Sequence, residues 1–141
     1  MKSLTLALAS IILAATSPAL AQEREPAPPG SRAYIIWPRD GTVVEGGKLW
    51  VRMGLSEMGV APSGVRKQGS GHHHLLVDTD LPPMDEPIPN NARHLHFGAG
   101  QTEARLELPP GRHTLQMLLG DADHVPHDPP VMSKKISITV K

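Results

Sequence analysis

The chain has 141 residues and no cysteine, and its 14 lysine and arginine residues balance 14 aspartate and glutamate residues. The lack of cysteine excludes disulfides, thiolate metal sites and cysteine nucleophiles. The near-neutral charge disfavours nucleic acid or an anionic membrane as the main partner. Aromatic residues make up only 3% of the chain, so we expect a mostly aliphatic core.

The first 21 residues have the pattern of a cleaved signal peptide. Lys2 gives a short positive start, residues 4–15 are apolar, and the small residues that precede Gln22 suit cleavage after Ala21. The apolar run is too short for a typical membrane span, and no later run approaches that length. We therefore predict an exported, periplasmic protein whose mature chain has no membrane span.

The mature chain is expected to be one β-domain. Residues 22–32 are rich in proline and predict a flexible tether, and residues 33–141 predict a single β-sandwich domain. About seven short strands are separated by turn signals, and no stretch keeps a helical period. This pattern favours an all-β, antiparallel two-sheet sandwich of immunoglobulin-like type. The predicted strands cover residues 34–37, 48–55, 72–78, 94–97, 101–108, 113–119 and 135–140.

Three consecutive histidines open the third predicted strand. Successive side chains of a strand alternate between its two faces. If Leu75 and Val77 face the core, His73 joins them, and His72 and His74 are exposed on the opposite face. The opposite phase would bury Leu76 together with two histidines, His72 and His74, and is therefore disfavoured.

A second histidine pair lies in the next predicted strand. Leu95 and Phe97 suit the core, so His94 and His96 share the outward face. If this strand lies near the third one, four imidazoles could gather on one patch. All eight histidines of the chain occur at or after position 72, which concentrates this chemistry in the second half.

A proline-rich loop over residues 120–130 adds two more histidines. His124 and His127 are separated by Pro126, so a helical same-face arrangement is excluded, but prolines stiffen the loop. A stiff loop holds its side chains in place at a lower entropic cost on binding. Three aspartates of the same loop could act as ligands or as hydrogen-bond partners of an imidazole: Asp121, Asp123 and Asp128.

These patterns favour a metal-binding or metal-delivery function. Neutral imidazole is a common ligand of late first-row metals, and the Irving–Williams order favours copper over zinc at nitrogen sites. The expected partner is therefore the metal ion itself or another periplasmic protein. The candidate ligands are His72, His74, His94, His96, His124 and His127.

Two other functions are possible for such a chain. In a non-catalytic structural or protein-interaction module, the histidines would only hydrogen-bond the loops, which is the role expected of the inward-facing His73 and His113. In an enzyme, a His–Asp pair or a metal-bound water would act. No nucleophile or metalloprotease motif supports an enzyme, and Ser70 beside Gly71 is a weak nucleophile candidate, so we predict no catalytic residue.

Four motifs together resemble an exported bacterial family known only as a domain of unknown function, number four-three-nine-nine. They are GHHHLL at 71–76, HLHFGAGQTE at 94–103, LPPGRHTLQ at 108–116 and GDADHVPHDPPV at 120–131. The resemblance covers residues 34–140. It implies a small periplasmic β-domain and transfers no catalytic residue.

The order of a Pro-Gly turn, a strand and a histidine-bearing loop before the last strand is also similar to periplasmic copper-resistance sandwiches of the CopC type. Here these features are Pro110-Gly111, residues 113–119 and Asp123-His124. Such proteins carry a histidine at the mature N-terminus, where this chain is predicted to begin with Gln22. The similarity therefore implies copper binding without implying the same ligands.

Overall fold

The computed structural model describes residues 23–141, and all of their regular secondary structure is β. Accordingly, this part of the chain has no helix that is long and apolar enough to cross a membrane. The predicted signal peptide, residues 1–21, lies outside the described residues. The nine strands are β1 (Arg32–Trp37), β2 (Val43–Val44), β3 (Lys48–Ser56), β4 (Gly59–Val60), β5 (Ser70–Val77), β6 (His94–His96), β7 (Glu103–Glu107), β8 (Gly111–Gly120) and β9 (Ile136–Val140).

The strands form two sheets. The smaller sheet has the order β1-β3-β7, and the larger has the order β2-β9-β8-β5, with β4 and β6 both paired to β5. Immunoglobulin-like domains place strands A, B and E in one sheet and C, F and G in the other. Here β1, β3 and β7 take the first set of places, and β5, β8 and β9 take the second. The predicted all-β, immunoglobulin-like sandwich is confirmed.

Seven of the nine strands correspond to the predicted ones. The other two, β2 and β4, have two residues each and pair in parallel with β9 and β5. Such short segments show no alternation that a sequence could reveal. The region between β3 and β5, where no strand was predicted, thus contains the edge strand β4.

The main core lies between the two sheets and follows the predicted alternation. Leu75 and Val77 of β5 meet Val51 and Met53 of β3, and Phe97 packs into the same cluster. The other members are also mainly aliphatic: Ala33, Leu49, Leu106, Leu115, Met117, Leu119, Val131 and Ile138. Trp50, on the opposite phase of β3, is half exposed. The core is therefore mostly aliphatic, as the composition predicts.

A second apolar layer covers part of the outer face of the larger sheet. Leu76 of β5 and Leu118 of β8 pack there against Ile88, which belongs to the proline-rich loop between β5 and β6. The Ile88 amide donates to the carbonyl of His124 at 2.9 Å, so this loop also contacts the loop that follows β8. The outer face of β5 is consequently buried beneath loops.

Residues 24–27 are hydrogen-bonded to the loop after β8, unlike the flexible tether expected from the proline content of residues 22–32. The Ala27 amide donates to Asp128 O, and the Asp128 amide donates to Glu25 O, both at 2.9 Å. Arg24 adds side-chain hydrogen bonds to the carbonyls of Pro126 and His127. Proline lacks an amide donor, but the residues around it retain theirs, and these form the pairing.

Candidate metal centre

The histidines of β5 point as the alternation predicts, but they are not exposed. His72 and His74 share the outer face with Leu76, while His73 lies on the phase of the core residues Leu75 and Val77. All three histidines are 0% exposed, so the prediction that His72 and His74 are exposed is wrong. The loops that follow β5 and β8 cover this face, and strand alternation contains no information about loop packing.

Strand β6 brings His96 to the β5 histidines. The two strands are antiparallel, and His96 is the direct partner of His74. Their ring centroids are 5.1 Å apart, and His96 is 5.0 Å from the His72 ring. The two histidine-bearing strands are therefore neighbours, which was the condition for a shared patch.

The loop after β8 supplies a fourth ring, that of His124. Its centroid lies 4.9 Å from His72, 4.8 Å from His96 and 5.9 Å from His74. The His72 and His74 centroids are 4.8 Å apart. Since all six separations are similar, the four rings occupy the corners of a distorted tetrahedron. We call His72, His74, His96 and His124 the histidine cluster.

Three members of the cluster offer nitrogen atoms at a spacing that could hold a metal ion. One ring nitrogen from each of His72, His74 and His96 lies within 4.8 Å of the others. Both ring nitrogens of His72 and of His74, and Nε2 of His96, are buried without a hydrogen-bond partner in residues 23–141. Buried polar atoms are paired in most proteins, so these unpaired nitrogens of the described residues are candidates for binding a ligand.

Two glycines make room for the rings. A β-carbon on Gly98 would lie 2.3 Å from Cε1 and 2.5 Å from Nε2 of His96, and one on Gly120 would lie 2.9 Å from Cε1 of His74. Real β-carbons essentially never come within 3 Å of such atoms. Glycine at these two positions therefore leaves space for the rings of His96 and His74. The sequence motifs alone did not show why glycine is needed there.

Burial and mutual repulsion lower the pKa values of three cluster imidazoles, those of His72, His74 and His96. Burial lowers the pKa of His72 to about 4, and the nearby rings of His124 and His96 contribute in the same direction. Burial lowers the pKa of His74 to about 2, with further contributions from its neighbours, and it also lowers the pKa of His96. Neutral imidazole is the form that binds metal ions, so the rings of His72 and His74 are available as ligands well below neutral pH.

Two of the six predicted ligands lie outside the cluster. His94 follows the phase of His96 but is the partner of Leu76 rather than of a histidine, and its Nδ1 contacts Asn91 Oδ1 at 3.1 Å. His127 is fully buried near the N-terminal segment, where its Nε2 lies 3.9 Å from Glu25 Oε2. Burial lowers the pKa of His127, against the opposing effect of the Asp121 and Glu25 carboxylates.

The two histidines predicted to be structural differ from each other. His113 forms the expected bonds, with Nδ1 2.6 Å from Asp78 Oδ2 and Nε2 2.8 Å from Pro109 O. His73 lies inward as predicted, but neither of its ring nitrogens has a hydrogen-bond partner within the described chain. Burial lowers the pKa of His73 to about 4, so it is a neutral core residue rather than a hydrogen-bonded one.

The aspartates of the His124 loop shape and anchor the loop. Asp121 Oδ1 accepts hydrogen bonds from the amides of Asp123 and Val125 at 2.8 and 2.9 Å. Asp123 pairs with Arg66 at 2.7 Å, and Asp128 lies 3.6 Å from Arg24. Through these hydrogen bonds and ion pairs, the three carboxylates stabilise the conformation of the loop.

Sequence reasoning missed Ser63. Its Oγ lies 3.1 Å from Nε2 of His124, and its own amide donates to the carbonyl of Gly98 at 2.8 Å. Ser63 therefore connects His124 to Gly98, which lies beside the ring of His96. It lies in an irregular segment between β4 and β5, where no periodicity or spacing distinguishes it from an ordinary loop serine.

Comparison with known proteins identified a matching family model and a structurally similar protein. The chain is similar to the fibronectin(III)-like modules of CbhA from Clostridium thermocellum, with 16% identity, a TM-score of 0.36, and coverage of 77% of this chain and 92% of that one. No curated protein is significantly similar to it in sequence. A family model described as "Domain of unknown function (DUF4399)" matches residues 51–141, which include every member of the histidine cluster. The chain belongs to the DUF4399 family.

Proposed function

We propose that this chain is an exported, non-catalytic β-sandwich protein that binds a divalent transition metal ion through His72, His74 and His96. The observation that supports this function is the convergence of buried, neutral and unpaired ring nitrogens within 4.8 Å of one another. Leaving a buried polar group unpaired costs about 1–3 kcal/mol. A metal ion would bond one nitrogen of each ring and so offset part of this cost.

The donor set narrows the choice of metal. Three imidazoles suit copper(II), zinc or nickel, and the Irving–Williams order favours copper(II). The near-tetrahedral arrangement of the rings also suits zinc, which is bound at nitrogen distances of about 2.0–2.1 Å. Such bonds imply nitrogen separations of about 3.3 Å, so the rings would move closer on binding. Copper is the favoured ion, and zinc is the alternative.

Export to the periplasm is supported by the sequence alone. The apolar run at residues 4–15 and the small residues up to Ala21 have the form of a signal peptide. Fractionation of cells that produce the full chain should place a product starting at Gln22 in the periplasm. Recovery of the intact chain from the cytoplasm would contradict this part of the proposal.

Metal titration of the mature protein tests the central claim. Copper(II) and zinc should bind the wild type with one ion per chain, and His96→Ala should weaken binding at least about 10-fold, or about 1.4 kcal/mol. His94→Ala is the matched control, because His94 is a half-buried residue of the same strand and face outside the cluster. Equal affinities of the wild type and His96→Ala would exclude His96 as a ligand.

The alternative is a structural or protein-interaction module whose histidines only hydrogen-bond its loops. The contacts of His113 with Asp78 and Pro109 fit that function. His72 and His74 do not fit it, because their buried ring nitrogens have no such bonds in residues 23–141. If periplasmic protein contains no metal on elemental analysis and titration shows no binding, this alternative is favoured.

A further inference from the structure

His124 is held in position by contacts from three separate segments. Its backbone has a φ of 70°, a left-handed conformation that is uncommon outside glycine. Its amide donates to Asp121 O at 3.0 Å, and its carbonyl accepts from the Ile88 amide at 2.9 Å. The Gly64 amide also donates to Ala122 O at 3.0 Å. The loop after β8 is therefore fixed at His124 by its own turn and by two other loops.

The side chain of His124 is oriented as well. Ser63 Oγ lies 3.1 Å from Nε2, and Ser63 is itself anchored to Gly98 beside His96. When Nε2 bears the proton and donates to Ser63, the lone pair remains on Nδ1. Metal-binding histidines commonly donate their other ring N–H to a neighbouring acceptor, which fixes the tautomer and the ring orientation. The 3.1 Å contact between Ser63 and His124 has the geometry of such a pair.

We propose that His124 is the fourth ligand and that Nδ1 is its metal-binding atom, so that the site is a closed set of four imidazoles. This inference rests on the proposed function. It is supported by the three ring distances from His124, two of which are as short as those within the β5 and β6 triad. Ser63 takes the remaining nitrogen and acts as a positioning residue.

A closed site determines what the protein does with its metal. Catalytic zinc sites keep an open position for water or substrate, whereas sites filled by four protein ligands hold the ion. With every position occupied by imidazole, the bound ion has no water to activate. The chain would therefore retain or transport the ion, and release would require His124 to leave with its loop.

X-ray absorption spectroscopy of the zinc-loaded mature protein tests the ligand count. The wild type should show four imidazole nitrogens, and His124→Gly should show three with a water molecule, with binding at least about 10-fold weaker. Glycine is chosen because it adopts a φ of 70° readily, so that loop folding is preserved. His124→Asn, whose side chain also tolerates this conformation, is a second variant and should show the same loss.

Ser63→Ala tests the role of Ser63 through two measured quantities, the number of nitrogen ligands and the zinc affinity. It should keep four nitrogen ligands but bind zinc about 10- to 100-fold more weakly, as is typical when the partner of a ligating histidine is removed. If both His124 variants bind zinc as tightly as the wild type and with the same spectrum, the fourth ligand is excluded while the triad stands. If the wild type binds no zinc or copper, the proposed function and this inference both fail.

Discussion

At the scale of residues, the cluster contains side chains whose burial is unfavourable as long as their ring nitrogens have no partner. His72 and His74 are fully buried, and none of their four ring nitrogens has a partner in the part of the chain described. Replacing such groups by apolar residues of similar size can be neutral or stabilising. Their presence therefore suggests selection for a site rather than for stability, as is common where buried polar groups and lowered pKa values coincide.

Gly98 offers a test that leaves every histidine in place. Gly98→Ala should push the half-buried His96 ring away, because the new β-carbon would lie 2.3 Å from Cε1. We expect zinc and copper affinity to fall at least about 10-fold. The backbone at Gly98 does not have a positive φ, so the free energy of unfolding should change by less than about 1 kcal/mol.

The control for this substitution is Gly59→Ala. Gly59 also lacks a positive φ, and a β-carbon there would have nothing within 4 Å. Calorimetric titration and urea unfolding of both variants separate loss of the site from loss of the fold. Unchanged metal affinity in Gly98→Ala would show that the observed position of the His96 ring is not needed for binding.

The His113–Asp78 pair should give a pH-dependent contribution to stability. The hydrogen bond to Asp78 raises the pKa of His113, although burial opposes it. Burial alone would raise the pKa of Asp78, but bonds from His113 and the Thr114 amide lower it overall. Between the lowered pKa of Asp78 and the ordinary histidine pKa of 6.5, both groups are therefore charged and the pair stabilises the folded state. The stability that His113 contributes is lost as the pH rises through its raised pKa.

Asp78→Asn measures this contribution without disturbing the backbone. Asp78 has a φ of 52°, a conformation that asparagine also tolerates. The variant should be less stable than the wild type by about 1 kcal/mol near pH 5.5, a figure kept low because the Asp78 side chain is 39% exposed. The difference should shrink as pH rises above 7. A constant or growing difference in urea unfolding from pH 5.5 to 8.5 would contradict this assignment.

At the scale of elements, seven of the nine strands of residues 23–141 could be predicted from the sequence, but the paths of the loops could not. Alternation placed Leu75, Val77 and Leu95 against the core, and so placed His72, His74 and His96 on one face. It did not reveal that the loop residue Ile88 covers that face, because a proline-rich loop has no period that predicts its path. His94 was grouped with His96 by phase, but only the register of β6 on β5 shows that it lies beside Leu76.

The N-terminal segment differs from the flexible tether that was predicted from the sequence. Its prolines predict a tether, yet Pro26 forms a parallel bridge to Asp128. Arg24 supplies the side-chain part of this attachment, with Nε 3.0 Å from Pro126 O. The segment therefore supports the same loop that positions His124.

Arg24→Ala should weaken this attachment. Two hydrogen bonds from a charged donor to buried carbonyls are lost, so we expect a destabilisation of about 1–3 kcal/mol. The matched control is Arg52→Ala, because the Arg52–Glu103 pair is more than half exposed on both sides and should contribute less than about 1 kcal/mol. Urea unfolding compares the two variants. Equal effects would indicate that Arg24 does not hold the loop.

At the scale of the whole molecule, the fold places the cluster where binding and stability are linked. The four rings come from β5, β6 and the loop after β8, which are distant in sequence. These elements meet only in the folded chain, so a metal ion that binds all of them favours the native state over the unfolded one. Under the proposed function, a bound ion would therefore stabilise the larger sheet in addition to the two apolar clusters that pack against its faces.

Metal removal should thus lower the melting temperature. An ion present at 100 times its dissociation constant stabilises the native state by about 2.7 kcal/mol. For a domain of this size, 1 kcal/mol shifts the melting temperature by about 4 °C, so copper or zinc should raise it by about 10 °C, and a chelator should reverse the change. The triple variant His72→Leu/His74→Leu/His96→Ala should show no metal-dependent shift, since apolar leucines can fill the buried positions without leaving unpaired nitrogens. A structural module predicts instead that the wild type melts at one temperature with metal and with chelator, because nothing then binds the native state selectively.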